Sequence, residues 1–168
     1  MIHQQTLLPH PYVQSSAQVV LPKAKGGIRK TSSQTIATLS TAFVAITNYD
    51  SQLYPTSSGV TGNLVAGTIT AAKAGDYLLV VNLDATCTGD NNAGRVVTMQ
   101  AWDSVANTAI PNVEVKIFVG AYASGFQASV SIPFTVAADN KSIVMKINAV
   151  TNISNVVILS AALALLGV

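Results

Sequence analysis

Residues 126–134, FQASVSIPF, alternate between apolar and polar side chains along almost their whole length. A period of two places alternate side chains on opposite faces of a strand, one face toward a core and the other toward solvent. The same period recurs over 94–102, 113–118 and 143–147. These runs are rich in β-branched and aromatic residues, which favour strands. The four stretches therefore predict half-buried β-strands.

Further apolar runs complete a pattern of about eight or nine strands. Residues 77–81, YLLVV, are apolar on both faces, which predicts a strand that is covered on both sides. Turn signals rich in Gly, Asn, Asp and Ser separate the runs, and no sustained 3.6-residue period occurs before the last one. Short strands at this spacing without intervening helices indicate an all-β sandwich or barrel. The other candidate strands are 36–39, 42–48 and 64–70.

The last apolar run covers residues 156–168. Its second part, SAALALL at 160–166, has the propensity of a helix, but the preceding VVIL favours one long strand over 156–166. Such a strand belongs at the centre of a sheet or in a subunit interface. The run has 13 residues, fewer than the roughly 20 that a helix needs to span a bilayer. We therefore expect no membrane association.

Residues 1–33 have no periodicity and predict an extended arm in front of a domain over 34–168. Prolines, a Gly-Gly pair and Ser-Ser pairs punctuate the segment. Its four bases and no acid give +4, whereas five bases and seven acids in the remainder give −2. Four bases are few for packaging nucleic acid, so we favour docking on protein and expect no nucleic-acid partner. The expected partner-binding residues are Leu7, Leu8, Tyr12, Val13, Val19, Val20, Leu21, Lys23, Lys25, Arg29 and Lys30.

No pattern in the sequence indicates catalysis, and we expect neither a cofactor nor a metal. Cys87 is the only cysteine, and both histidines lie in the arm, so the domain cannot assemble a Ser-His-Asp or Cys-His site. Asp84 and Asp90 flank one turn and could hold calcium, but such residues more often stabilise the turn itself. Trp102 and Tyr122 could stack on sugars, although Trp102 is more typical of a sandwich core.

The order of these features resembles the C1q/TNF-like trimeric jelly roll, in particular the versions found in bacteriophage structural proteins. The matching residues are 41–48, GTITAAKAGDYLLVV at 67–81, the strand 126–134 and the closing run 156–166. The resemblance implies a jelly-roll β-sandwich of about eight antiparallel strands. It also implies a homotrimer whose inner sheets meet at a threefold axis.

The combined features predict a structural protein located in a virion. We expect a trimeric capsid decoration or cement protein whose arm binds the major capsid protein or neighbouring virion subunits. One alternative is a head-fibre or tail-fibre tip that recognises a cell-surface glycan. A second alternative is a jelly-roll capsid protein that forms the shell itself.

Overall fold

The computed structural model describes residues 23–54, 59–87, 95–120 and 125–168, which form twelve β-strands and contain no helix. Consequently, no helix in the described part of the chain is long and apolar enough to cross a membrane. The strands are β1 (Lys25–Lys30), β2 (Gln34–Leu39), β3 (Val44–Ala45), β4 (Ser51–Gln52), β5 (Val60–Asn63), β6 (Thr68–Ala71), β7 (Gly75–Thr86), β8 (Arg95–Asp103), β9 (Thr108–Val119), β10 (Gly125–Val136), β11 (Lys141–Ala149) and β12 (Ile153–Gly167).

The strands form two antiparallel sheets that pack face to face. Sheet A has the order β10-β7-β12-β1-β4, with β2 also paired to β12. Sheet B has the order β5-β6-β11-β8-β9, with β3 also paired to β11. Consecutive strands repeatedly change sheet, so the predicted antiparallel jelly roll is confirmed. Two predicted strands differ from the structure: residues 64–67 form a turn, so that only 68–70 of the strand predicted over 64–70 lie in β6, and of the strand predicted over 42–48 only Val44–Ala45 forms a strand.

Strand β12 is the centre of sheet A, as the long apolar run predicts. It pairs with β7 from Val157↔Thr86 to Gly167↔Tyr77. On its other side it pairs with β2 over residues 153–158 and with β1 over 161–166. The helical alternative for this run is wrong, because pairing on both sides satisfies the backbone groups of the strand along most of its length.

The core lies between the inner faces of the two sheets. Leu79, Val81 and Leu83 of β7 and Met99 of β8 point into it, each at most 3% exposed. Burying such a side chain fully is worth about 1.5–3 kcal/mol, and strand alternation supplies one from every second residue. Cys87 is also buried.

The sandwich begins at Lys25, so the predicted arm boundary after residue 33 differs from the structure. Strand β1 pairs with β12 from Lys25↔Leu166 to Lys30↔Ala161, and Ile28 is fully buried. The Gly26-Gly27 pair permits this close packing. A Cβ on Gly26 would lie 2.5 Å from the Val60 carbonyl oxygen, across the join between the sheets. Residues 25–33 therefore belong to the domain, and residues 1–22 lie outside the described part of the chain.

Gly67 closes the β5–β6 turn in a conformation that other residues rarely adopt. Its φ is +67°, and a Cβ there would lie 2.1 Å from the Ile46 carbonyl oxygen. We expect Gly67→Ala to lower the free energy of unfolding by about 2 kcal/mol or more, through strain and the clash together. Gly120→Ala is the matched control, because a Cβ on Gly120 meets no atom within 4 Å. Urea denaturation measures both changes, and equal effects would contradict this account.

Candidate interaction surface

The side of sheet A that faces away from the core is apolar near one end of the sandwich. We call this side the sheet A outer face. Leu78, Val80 and Leu166 are only half-buried on it, and the small residues Ala164 and Gly27 lie beside Val80 in the same row. Strand pairing arranges these side chains in two rows. The first row is Pro133, Leu78, Leu166 and Lys25, and the second is Ser131, Val80, Ala164 and Gly27.

Farther along β7 and β10, the sheet A outer face carries polar side chains that pair across these two strands. The Ser129 hydroxyl donates to Asn82 Oδ1 at 2.6 Å, and the Gln127 amide donates to Asp84 Oδ1 at 3.1 Å. Asp84 is thus held by a strand neighbour. The described residues contain no group of three His, Cys, Asp or Glu side chains that could bind a metal. Asp90, the other residue considered as a calcium ligand, lies outside them.

All four basic residues of the predicted arm lie in the described part of the chain, in β1 or just before it. Lys23, Lys25 and Arg29 are exposed. Lys30 is 1% exposed, and its ammonium donates to the Asn48 carbonyl oxygen at 2.7 Å. Burial lowers the pKa of this ammonium. The expectation that Lys30 binds a partner is therefore corrected: the residue lies on the inner side of β1 and holds the sandwich together.

The remaining residues of the predicted binding set lie outside the described part of the chain. Residues 1–22 contain no Asp, Glu, Lys or Arg. The charge asymmetry in the sequence therefore separates residues 23–30 from the rest of the domain, and the side chains of residues 1–22 carry no formal charge when histidine is neutral. The predicted binding residues in this segment are Leu7, Leu8, Tyr12, Val13, Val19, Val20 and Leu21.

Asp50 fixes the connection between β1 and β2. Its carboxylate accepts hydrogen bonds from the backbone N–H and the hydroxyl of Thr31 and from the same two groups of Ser32. These bonds, with the Ser32 hydroxyl making the largest contribution, lower the pKa of the Asp50 carboxyl. Residues 31 and 32, which the sequence assigned to the arm, are thereby bound to the domain.

A cleft of about 430 Å³ opens between β9 and β10, the edge strands of the two sheets. It exists because β9 bulges: Gln100 pairs with Glu114 but Trp102 pairs with Ala109, so residues 110–113 face the single residue Ala101. Pro111 of the bulge and Pro133 and Phe134 of β10 form apolar walls. Asp103 and Lys141 form an ion pair at the cleft.

The prediction that Trp102 lies in the core is wrong, because the residue lies on the outer side of sheet B. Its strand neighbours Ala101 and Asp103 are buried, so alternation directs the indole outward. The Lys146 ammonium lies 4.0 Å from its ring centroid, and the Phe43 ring centroid lies 5.2 Å away. The ring is thus packed by two side chains. Tyr122, the other residue considered as a sugar contact, lies outside the described residues.

The strand order defines the fold as a TNF-like jelly roll. The chain is similar to Eiger TNF from S. frugiperda, with a TM-score of 0.56 and 7% identity over 88% of this chain and 94% of that chain. It is also similar to murine APRIL at pH 5.0, with a TM-score of 0.50 and 8% identity over 87% and 99%. The PRD1 vertex protein P5 aligns with a TM-score of 0.47 and 13% identity over 86% and 96%. No family model and no curated protein sequence matches the chain.

The Asp103–Lys141 pair predicts a pH dependence of stability. The hydrogen bond from Lys141, with a further one from the Ala106 backbone N–H, holds the pKa of Asp103 at about 2. This value lies below that of an unfolded aspartate, so the stabilisation is present above about pH 4 and is lost as the pH falls toward 2. Asp103→Asn should cost about 2 kcal/mol at pH 7 and reduce the pH dependence of stability in that window.

Thermal denaturation from pH 2 to pH 7 measures this effect. Asp139→Asn is the matched control, because the Lys73–Asp139 pair has side chains 80% and 48% exposed. Exposed ion pairs contribute little to stability. A variant Asp103→Asn with the wild-type pH profile would show that Asp103 is not the titrating group.

Proposed function

We propose that this chain is a non-enzymatic structural subunit of a virion that assembles as a homotrimer and decorates the capsid. In this proposal the sheet A outer face packs against sister subunits. Residues 1–22 then bind neighbouring virion subunits. The sequence resemblance to trimeric jelly-roll modules of bacteriophage structural proteins supports the viral role.

The observation that carries the proposal is the apolar part of the sheet A outer face. Its strands β7 and β12 are central in the sheet, yet Leu78, Val80 and Leu166 remain partly exposed. Completing their burial is worth about 1 kcal/mol per side chain. A flat surface of small and apolar residues requires little desolvation of polar groups. Contiguous surfaces of this kind are typical of protein interfaces.

The sheet order also suits a closed ring of identical subunits. Sheet A ends in β4 beside β1 at one edge and in β10 at the other. Two different edges on one subunit favour a heterologous contact, in which one edge of a copy meets another surface of the next. Such contacts generate rings when the rotation closes. The resemblance specifies three copies.

The distribution of charge favours a protein partner for the arm. The bases that suggested a nucleic-acid tether lie in or beside β1, and residues 1–22 have no Lys or Arg. A segment without cationic side chains gains little from phosphate neutralisation. Its apolar pairs instead suit binding to protein surfaces. This argument also disfavours a shell protein whose arm binds the packaged genome.

A glycan-binding fibre tip remains the second candidate, but the packing of Trp102 does not favour it. Sugar recognition by stacking needs an open ring face. Lys146 and Phe43 both pack against this indole.

The interface is tested by Val80→Lys. Val80 points outward from the centre of sheet A and pairs with Ser131 and Ala164. We expect the wild-type chain to be a trimer by light scattering and Val80→Lys to dissociate it at micromolar concentration, because a buried unpaired ammonium is costly. Val96→Lys is the matched control, since Val96 is a half-buried valine on the outer side of sheet B. A monomeric wild-type chain would overturn the proposed assembly.

The arm is tested by deleting residues 1–22. Deletion to residue 33 is unsuitable, because it removes β1 from its place beside β12. We expect the shorter deletion to leave a folded trimer that no longer sediments with capsid shells lacking this protein. Linked arms multiply weak contacts, so losing all three should lower shell affinity by about 100-fold or more. Undiminished binding by the deletion variant would contradict the arm's proposed role.

A further inference from the structure

We propose that the β9–β10 cleft of each subunit receives residues 9–13 of a sister copy, with Tyr12 in the cleft. This inference rests on the proposed trimer and names the surface that one part of the arm binds. The remaining arm residues stay available for the capsid.

The chain enters the domain at the end of the sandwich where the cleft lies. The Gly167 N–H donates to the Ala24 carbonyl oxygen at 2.6 Å, so Lys23 and the chain's last residues lie side by side. In the first row of the sheet A outer face, Lys25 is level with Pro133, which forms a cleft wall. If the threefold axis of the ring runs parallel to the strands, the Lys23 residues and the β9–β10 clefts of all three subunits lie at the same height along that axis.

The entry point and the cleft lie toward opposite edges of sheet A, which favours a sister's cleft over the subunit's own. Three strand spacings separate β1 from β10, or about 14 Å. The direct path between them crosses Leu166 and Leu78, the surface that the proposed trimer buries. A heterologous contact can place the β1 side of one copy beside the β10 side of the next. In that arrangement we place residues 9–13 in the neighbouring cleft.

The chemistry of the cleft matches a tyrosine in an extended proline-rich segment. Pro111, Pro133 and Phe134 offer apolar walls for a phenol ring, and the Asp103–Lys141 pair offers polar groups for its hydroxyl. A tyrosine combines such an apolar body with a polar tip. Residues 9–13 read PHPYV and carry no Lys, Arg, Asp or Glu. Prolines at 9 and 11 favour an extended backbone.

The arm is long enough for this contact. Nine residues lie between Val13 and Lys23, which makes ten steps along the backbone, and an extended chain covers about 3.3 Å per step. The segment can thus reach about 33 Å from its entry point, more than twice the width from β1 to β10.

Disulfide trapping between two differently marked chains tests the inference. Both chains carry Cys87→Ala; one adds Val13→Cys and the other adds Ala109→Cys, an exposed residue lining the cleft. The full-length chains are co-expressed, oxidised and analysed on non-reducing gels with peptide mapping. The matched control replaces Ala109→Cys by Ala37→Cys, an exposed alanine in β2. Tethering should raise the heterodimer yield at least about ten-fold above the control.

Adding Tyr12→Asp to the Val13→Cys chain should reduce the yield to the control level. A chain carrying both Val13→Cys and Ala109→Cys distinguishes the source of the arm: a disulfide formed only within one chain would overturn the inference. A trimer by light scattering that gives no Val13–Ala109 cross-link would overturn the inference and leave the proposed assembly intact. A monomer would overturn both.

Discussion

The pairing of β12 on both sides is the constraint on which sheet A depends. Its fifteen residues join β7 to β1 and β2, so the first and last described strands are neighbours. Side chains that point inward from β12, such as Ile158 and Leu163, are fully buried against the core. Its outward side chains form part of the sheet A outer face. One strand thus closes the domain and also shapes its proposed interface.

Alternation allowed most of the fold to be predicted. A period of two identifies a strand clearly when one of its faces is exposed to solvent, and residues 126–134 lie within β10 as expected. The pattern failed where packing overrode it. Gly26 and Gly27 resemble a linker, yet their small size permits the close contact of β1 with Val60 and Ala164. The turn at 64–67 was missed because Leu64-Val65-Ala66 is apolar, and only Gly67 marked it.

The interaction surface was harder to predict because it depends on which side of a strand faces outward. The sequence identified 77–81 as apolar on both faces, but only the strand order shows that Leu78 lies beside Leu166. The bases of the predicted arm were misassigned for a related reason. Lys30 was assigned to the arm because it is a basic residue in a charged segment, whereas its side chain is buried and its ammonium donates to the Asn48 carbonyl oxygen. The cleft could not be predicted from the sequence. It arises from a shift in the pairing of β9 with β8 opposite Ala101, and the hydrophobic pattern does not mark this shift.

The proximity of Ala24 and Gly167 affects where a foreign polypeptide can be fused to this domain for display. A polypeptide fused after Val168 would emerge next to Lys23, at the end of the sandwich where the proposed arm joins the domain. The turn after β11 lies at the opposite end, where Val150 is 68% exposed. A foreign epitope inserted there would point away from Lys23.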